Sequence, residues 1–202
     1  MKTQVVKIAI IVILINSAGF SQSVFHDHDG FFLRMLYGIG YAELVEKDVL
    51  GSDMMFSGSS QALRFQIGGT ISDNLIAYGE FGGVILIEPE LEWMGQSATA
   101  SDIIVSVFDF GGGVTYYLMP SNFYFSLSIH TSQASLEYNG NTSESDYGFG
   151  INGMIGKEWW IGNDWALGAA VYGYYSTMND KGDYENEINS FSVGIMFSAT
   201  YN

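Results

Sequence analysis

Phe31-Phe32-Leu33-Arg34-Met35-Leu36-Tyr37-Gly38-Ile39-Gly40-Tyr41-Ala42 alternates with a period of two. Phe31, Leu33, Met35, Tyr37, Ile39 and Tyr41 share one face, while Arg34, Gly38, Gly40 and Ala42 share the other. Successive residues of a strand point to opposite sides, so this stretch is a strand between two unlike environments. One side is wide and aromatic; the other is small, polar or charged. That asymmetry fits a strand whose outer face meets lipid and whose inner face is polar.

Working outward, the same alternation recurs in eight segments, read at about 31–45, 61–72, 75–87, 102–119, 123–138, 147–161, 165–178 and 188–201. Ser72-Asp73-Asn74, Pro120-Ser121-Asn122 and Gly162-Asn163-Asp164 make three minimal joins from residues that accept tight turns. The other joins, 46–60, 88–101, 139–146 and 179–187, are longer. Short turns on one side and long loops on the other predict an all-β fold, an eight-stranded antiparallel up-and-down transmembrane β-barrel. Glycines inside the strands (Gly82-Gly83, Gly111-Gly112-Gly113, Gly148 and Gly150) would make room for bulky inward neighbours. Tyr116, Tyr117, Phe123, Tyr124, Trp159, Trp160 and Trp165 cluster near the short turns, where an interfacial girdle is expected.

At the N-terminus, Lys2 and Lys7 precede the apolar run 8–15, and Ser17, Ala18, Gly19 and Ser21 follow. That is the layout of an export signal, read as residues 1–21 with cleavage near 19–23. Residues 22–30 form a periplasmic lead-in, and residues 31–202 the barrel. The chain has no cysteine, which removes both a disulfide framework and a lipid-modified cysteine.

With 22 acidic against 7 basic residues, the formal charge is −15. A nucleic-acid partner is excluded, because backbone binding needs a basic surface. The acids gather in the long loops: Glu46, Asp48, Asp53, Glu88, Glu90, Glu92, Glu144, Asp146, Asp180, Asp183, Glu185 and Glu187. They read either as solvated loops or as contacts for divalent cations at an anionic lipid surface. Arg34, Arg64, Glu80, Asp109 and Glu158 all fall on the non-aromatic face, with Gln66 and Asn152. A lipid-facing arginine at mid-membrane costs about 2–4 kcal/mol, so that face is the interior. There the two arginines are expected to pair with Glu80, Asp109 or Glu158, because buried charges demand partners. A lipocalin-type barrel with the apolar face inward is the soluble rival. It would present glycine, serine and alanine to water, with Lys47, Lys157 and Lys181 its only lysines after the leader.

The architecture resembles the small outer-membrane β-barrels of Gram-negative bacteria, the OmpA, OmpX and Ail-like group. The segments His28-Asp29-Gly30-Phe31-Phe32-Leu33-Arg34, Tyr116-Tyr117-Leu118-Met119-Pro120-Ser121-Asn122-Phe123-Tyr124 and Lys157-Glu158-Trp159-Trp160 carry the likeness. Phe191, Val193, Ile195, Phe197 and Tyr201 resemble the C-terminal signal read by the barrel-assembly machinery, although Asn202 ends the chain where an aromatic is usual. The resemblance implies residence in the bacterial outer membrane, among outer-membrane lipids and lipopolysaccharide.

Two clusters bear on chemistry. His26-Asp27-His28-Asp29 has metal-ligand residue types, but its place ahead of the first strand reads better as an exposed polar lead-in. His130 and Ser132, with Glu144 downstream, are similar to the His-x-Ser plus Glu of lipid A deacylases, which cleave an ester-linked acyl chain. Against that, His130 continues the inward series Tyr124, Ser126 and Ser128 unless a bulge near Thr131 flips the register, and Gln133 stands where that family has Asn. The expectation is a non-enzymatic barrel with a structural or surface-contact role and no cofactor or resident metal. The alternatives are a narrow porin or small-molecule conduit, and a lipid A esterase.

Overall fold

The computed structural model describes residues 28–182 and 186–202. The leader at 1–21, the rest of the lead-in up to residue 27, and Asp183 and Glu185 lie outside the described residues. The strands are β1 (Phe31–Val49), β2 (Ser52–Ser72), β3 (Leu75–Ile87), β4 (Glu90–Trp93), β5 (Gln96–Thr99), β6 (Ile103–Leu118), β7 (Phe123–Tyr138), β8 (Asn141–Glu144), β9 (Gly148–Trp160), β10 (Trp165–Asn179) and β11 (Glu187–Tyr201).

Eight of them, β1, β2, β3, β6, β7, β9, β10 and β11, form an antiparallel ring. Tyr41 closes it, pairing with Ser59 on one side and Val193 on the other. Closure leaves these strands no free edge, the condition under which backbone can cross a hydrocarbon layer.

The pleat sorts the side chains. On β1, Phe31, Tyr37, Ile39 and Tyr41 are exposed while Phe32, Arg34, Leu36, Ala42 and Leu44 are buried. An apolar exterior around a filled interior is the arrangement of a membrane barrel, and it rules out the lipocalin-type inversion. On β11 the outward row runs from Phe191 to Tyr201, matching the roughly 9–11 residues a tilted strand needs to span a bilayer. Toward the long-loop end the outward face turns polar, at Thr131, Gln133, Ser135 and Glu137 on β7 and at Gln61 on β2.

The long connections differ from their expected form. Segment 46–60 is mostly strand: β1 and β2 stay paired out to Val49 and Ser52, and the hairpin turns at Leu50-Gly51 with φ of 52° and 85°. Segment 88–101 is a hairpin, β4–β5, added to β2; β8 folds back on β7. Backbone continued past the apolar belt still needs hydrogen-bond partners, and pairing with its own neighbours supplies them. At the other end the joins are tight as expected, with Asn74 and Asn122 supplying the positive φ.

Candidate functional site: a filled lumen beneath an acidic rim

The lumen holds one polar network fed by all eight ring strands. Near the short turns, Arg34 of β1 is completely buried and pairs with Glu158 of β9 at 3.0 Å. Glu158 also accepts from the Tyr117 hydroxyl at 2.9 Å and from Thr200 Oγ1 at 2.6 Å. Arg34 donates to Thr200, to Gln66 Oε1 and to the Tyr117 hydroxyl, and its guanidinium lies 4.3 Å from the Tyr124 ring centre. The side-chain amide of Gln66 then donates to Glu80, joining this cluster to a second one.

In the second cluster Arg64 donates to Glu80 Oε1 at 2.9 Å and grips Asp109 with two bonds, at 2.6 and 3.1 Å. His130 Nε2 stands 2.8 Å from Glu80 Oε1 and 3.8 Å from Asp109 Oδ1. Tyr174 covers the Arg64 guanidinium, and its hydroxyl meets the Ser132 hydroxyl at 2.8 Å. Inward glycines open the space. A Cβ at Gly82 would come within 2.8 Å of Arg64 Cγ, and one at Gly111 within 2.9 Å of His130 Cδ2.

Glu80, Asp109 and His130 are the described residues grouped closely enough to be considered as metal ligands. Their contacts suit a hydrogen bond better. A 2.8 Å separation between Nε2 and Oε1 is hydrogen-bond distance; two ligands each about 2.0–2.2 Å from a tetrahedral ion would stand farther apart. Arg64 already supplies the cation both carboxylates face.

The esterase candidates are not brought together. Ser132 is buried in the lumen against Tyr174, His130 is turned to Glu80, and Glu144 is exposed, bound to Lys181 Nζ at 3.1 Å and to Gln133. No bulge interrupts the pairing of β7 with β6 or β9 around Thr131.

Several positions correct the expectations. Tyr117 and Tyr124, read as part of the interfacial girdle, are fully buried in the lumen, whereas Tyr116, Phe123 and Trp165 are exposed. Strand parity held the signal: Tyr117 shares its face with Asp109, and Tyr124 with His130. His28, read as part of an exposed lead-in, is 1% exposed. It stacks on Tyr117 at 3.5 Å and hydrogen-bonds with Asn202 at 2.6 Å and Asn122 at 2.7 Å, tying the residues that precede β1 and follow β11 to the β6–β7 turn. Burial pushes the His28 imidazole below its ordinary value.

The interior is also less polar than expected. Above the charged clusters, toward the long loops, Leu44, Phe56, Val84, Leu86, Val105, Val107, Met178 and Ile188 are buried inward, with Leu91 of β4 and Leu136 packed against them. An apolar layer therefore separates the network from the long-loop end. Beyond it the loops are acidic, relieved by Lys47, which pairs with Asp53 at 2.9 Å, and by Lys181.

No protein-family model matches the sequence, and no curated protein is similar to it. Solved structures are similar in fold. Neisserial surface protein A is 16% identical, the match covering 83% of this chain and 98% of that one with a TM-score of 0.50. OprG from Pseudomonas aeruginosa is 12% identical over 88% and 98%, with a TM-score of 0.47. AlkL, solved in lipid bilayers, is 10% identical over 90% and 94%, with a TM-score of 0.45. At such identities the likeness is one of fold: that of a small outer-membrane β-barrel.

Proposed function

We propose that this protein is a non-enzymatic barrel of the bacterial outer membrane, whose lumen is a structural core and whose working surface is the acidic rim that its strands carry past the bilayer. The observation that carries this reading is the layered interior. A buried ion-pair network spans the lumen, and an apolar layer lies between it and the long loops. An ion entering from the rim would have to shed water against Phe56, Leu86 and Val105, which offer it nothing in return. Lipids and lipopolysaccharide surround the apolar belt, divalent cations bridge loop carboxylates to anionic headgroups, and the assembly machinery reads β11.

Planar-bilayer recording of the folded protein at neutral pH tests the reading. A silent, heat-resistant barrel supports it. Discrete channel steps overturn it in favour of the narrow conduit, and loss of those steps in Arg34→Ala would assign them to the lumen. The esterase reading would return only if lipid A lost an acyl chain to the wild-type protein and not to Ser132→Ala.

A further inference from the structure

A depression of about 800 Å³ opens on the outer wall of the barrel, across β2, β3, β6 and β7. Two small residues among large ones make it. Gly83 of β3 stands between Leu63 and Phe108 of the flanking strands, and Ser106 of β6 stands beside Ile85. The fold forces the first of these, because a Cβ at Gly83 would come within 2.6 Å of the Val107 carbonyl oxygen. On the side nearer the short turns the wall is aromatic: Phe65 and Phe81 stack at 5.0 Å, and Phe110 pairs with Phe81. Phe81, Phe108 and Phe110 are each more than half exposed, so the depression is continuous with the apolar belt that meets lipid.

On the side nearer the long loops the edge is polar, uncharged and short of partners. Ser106 and Thr131 lie on the outward face, and neither hydroxyl has a hydrogen bond among the described residues. Gln61 Oε1 accepts from the Tyr37 hydroxyl at 3.0 Å, which leaves its amide N–H groups free. Gln133 donates to Ser145 and Glu144, which leaves its Oε1 free. Hydrocarbon cannot satisfy such groups, and leaving them unpaired against an apolar layer is costly. Neither lysine nor arginine lines the depression, and Glu137 stands on its far rim. A phosphate there would find no cation and would face a carboxylate.

We infer that this depression seats one acyl chain of a membrane lipid, in the leaflet on the long-loop side, and selects a chain whose head end carries an uncharged amide or hydroxyl. The hydrocarbon stem lies over Gly83 against Phe81 and Phe108. The amide or hydroxyl then exchanges hydrogen bonds with Ser106, Thr131 and the side-chain amides of Gln61 and Gln133, each of which has a donor or acceptor to spare. The volume is within the roughly 300–1,000 Å³ of small-molecule sites, enough for a chain and its linkage. The seat depends on the apolar belt facing lipid and not on what the lumen does, so channel steps in a bilayer recording would leave it standing.

N-tetradecanoylethanolamine and tetradecyl phosphate, each doped into nanodiscs of chain-deuterated phosphatidylcholine that hold the folded protein, test the inference. The readout is nuclear Overhauser transfer from the protonated probe chain to the methyl groups of Leu63, Ile85 and Ile104. Ile155, Val171 and Ile195, one outward row across β9, β10 and β11 on the other side of the ring, serve as the reference. The ethanolamide is expected to give saturable transfer at least tenfold stronger at the first set than at the reference, and the phosphate to show no such preference. Ser106→Phe fills the depression from outside the barrel core and should abolish the preference. Ser106→Ala with Thr131→Val keeps the shape, removes both hydroxyls and should weaken the ethanolamide at least fivefold. Equal transfer on both sides, an equal preference for the phosphate, or an unchanged preference in either heat-modifiable variant each overturns the assignment. If Ser106→Phe does not fold, the double variant decides alone.

Discussion

The two halves of this lumen are buried to the same degree and held together by opposite means. Near the short turns and at mid-height, completely buried Arg34 and Arg64 answer Glu158, Glu80 and Asp109 across the barrel. Toward the long loops, Phe56, Leu86, Val105 and Ile188 pack with no charged group among them, only the small hydroxyls of Ser60, Ser176 and Ser190. The difference teaches that an ion pair in such an interior is directional and brittle, whereas an apolar layer is adaptable. Remove one member of the network and the others stay buried without their countercharge; remove one apolar side chain and its neighbours relax part-way into the space.

The largest break in that comparison comes from Arg64→Met. It leaves Glu80 and Asp109 facing each other with only His130 between them, and breaking a buried pair in this way costs about 3–5 kcal/mol. Reversible urea unfolding in detergent should register the loss. Adding Glu80→Gln and Asp109→Leu to Arg64→Met should restore most of it, because neither carboxylate is then left buried without its arginine. If the triple variant stays as weak as the single one, charge imbalance is not what holds the lower lumen together.

The apolar half should answer more gently. Leu86→Ala is expected to cost about 2–3 kcal/mol, at the lower end of large-to-small core changes, since neighbouring side chains can close over the gap. The same variant sharpens the functional contrast. Should Leu86→Ala conduct in planar bilayers while wild type is silent, the apolar layer is the seal; should both stay silent, the charged network closes the lumen by itself.

The smallest effect lies at the short-turn end. Burial lowers the His28 proton affinity in the folded protein, so near and below the ordinary histidine value of about 6.5 the unfolded chain holds more protons there than the folded one. Stability contributed by the His28 contact is therefore present above that pH and declines as pH falls through the window beneath it. Melting temperatures at pH 8 and pH 5 should differ less in His28→Phe, which keeps the stack on Tyr117, than in wild type. An equal drop in both proteins would take His28 out of the account.

Much of this was legible in the chain. Alternation with a period of two, three tight turns built on Asn and Asp, and arginines confined to one face are local properties, and they suffice for the number of ring strands, facing and membrane character. Loop structure was less legible. Residues such as Asp48, Asp53 and Glu92 read as solvated loop because charge suggests water, yet Glu92 pairs with Met55 and Asp53 lies in β2. Sheet continuation depends on a neighbour's free edge, which no local pattern records.

Parity along each strand is enough to say that Arg34, Arg64, Glu80, Asp109 and Glu158 turn inward, and that they must find one another. Which of them meet is a matter of register and stagger between strands far apart in the chain. Arg34 therefore takes Glu158 and Arg64 takes both Glu80 and Asp109 only once the ring closes. Parity likewise takes Tyr117 and Tyr124 off the girdle, while closure buries His28 against Asn122 and Asn202. Which face a side chain takes is settled by its own strand; what it touches is settled by the seven others, because a lumen belongs to no single segment.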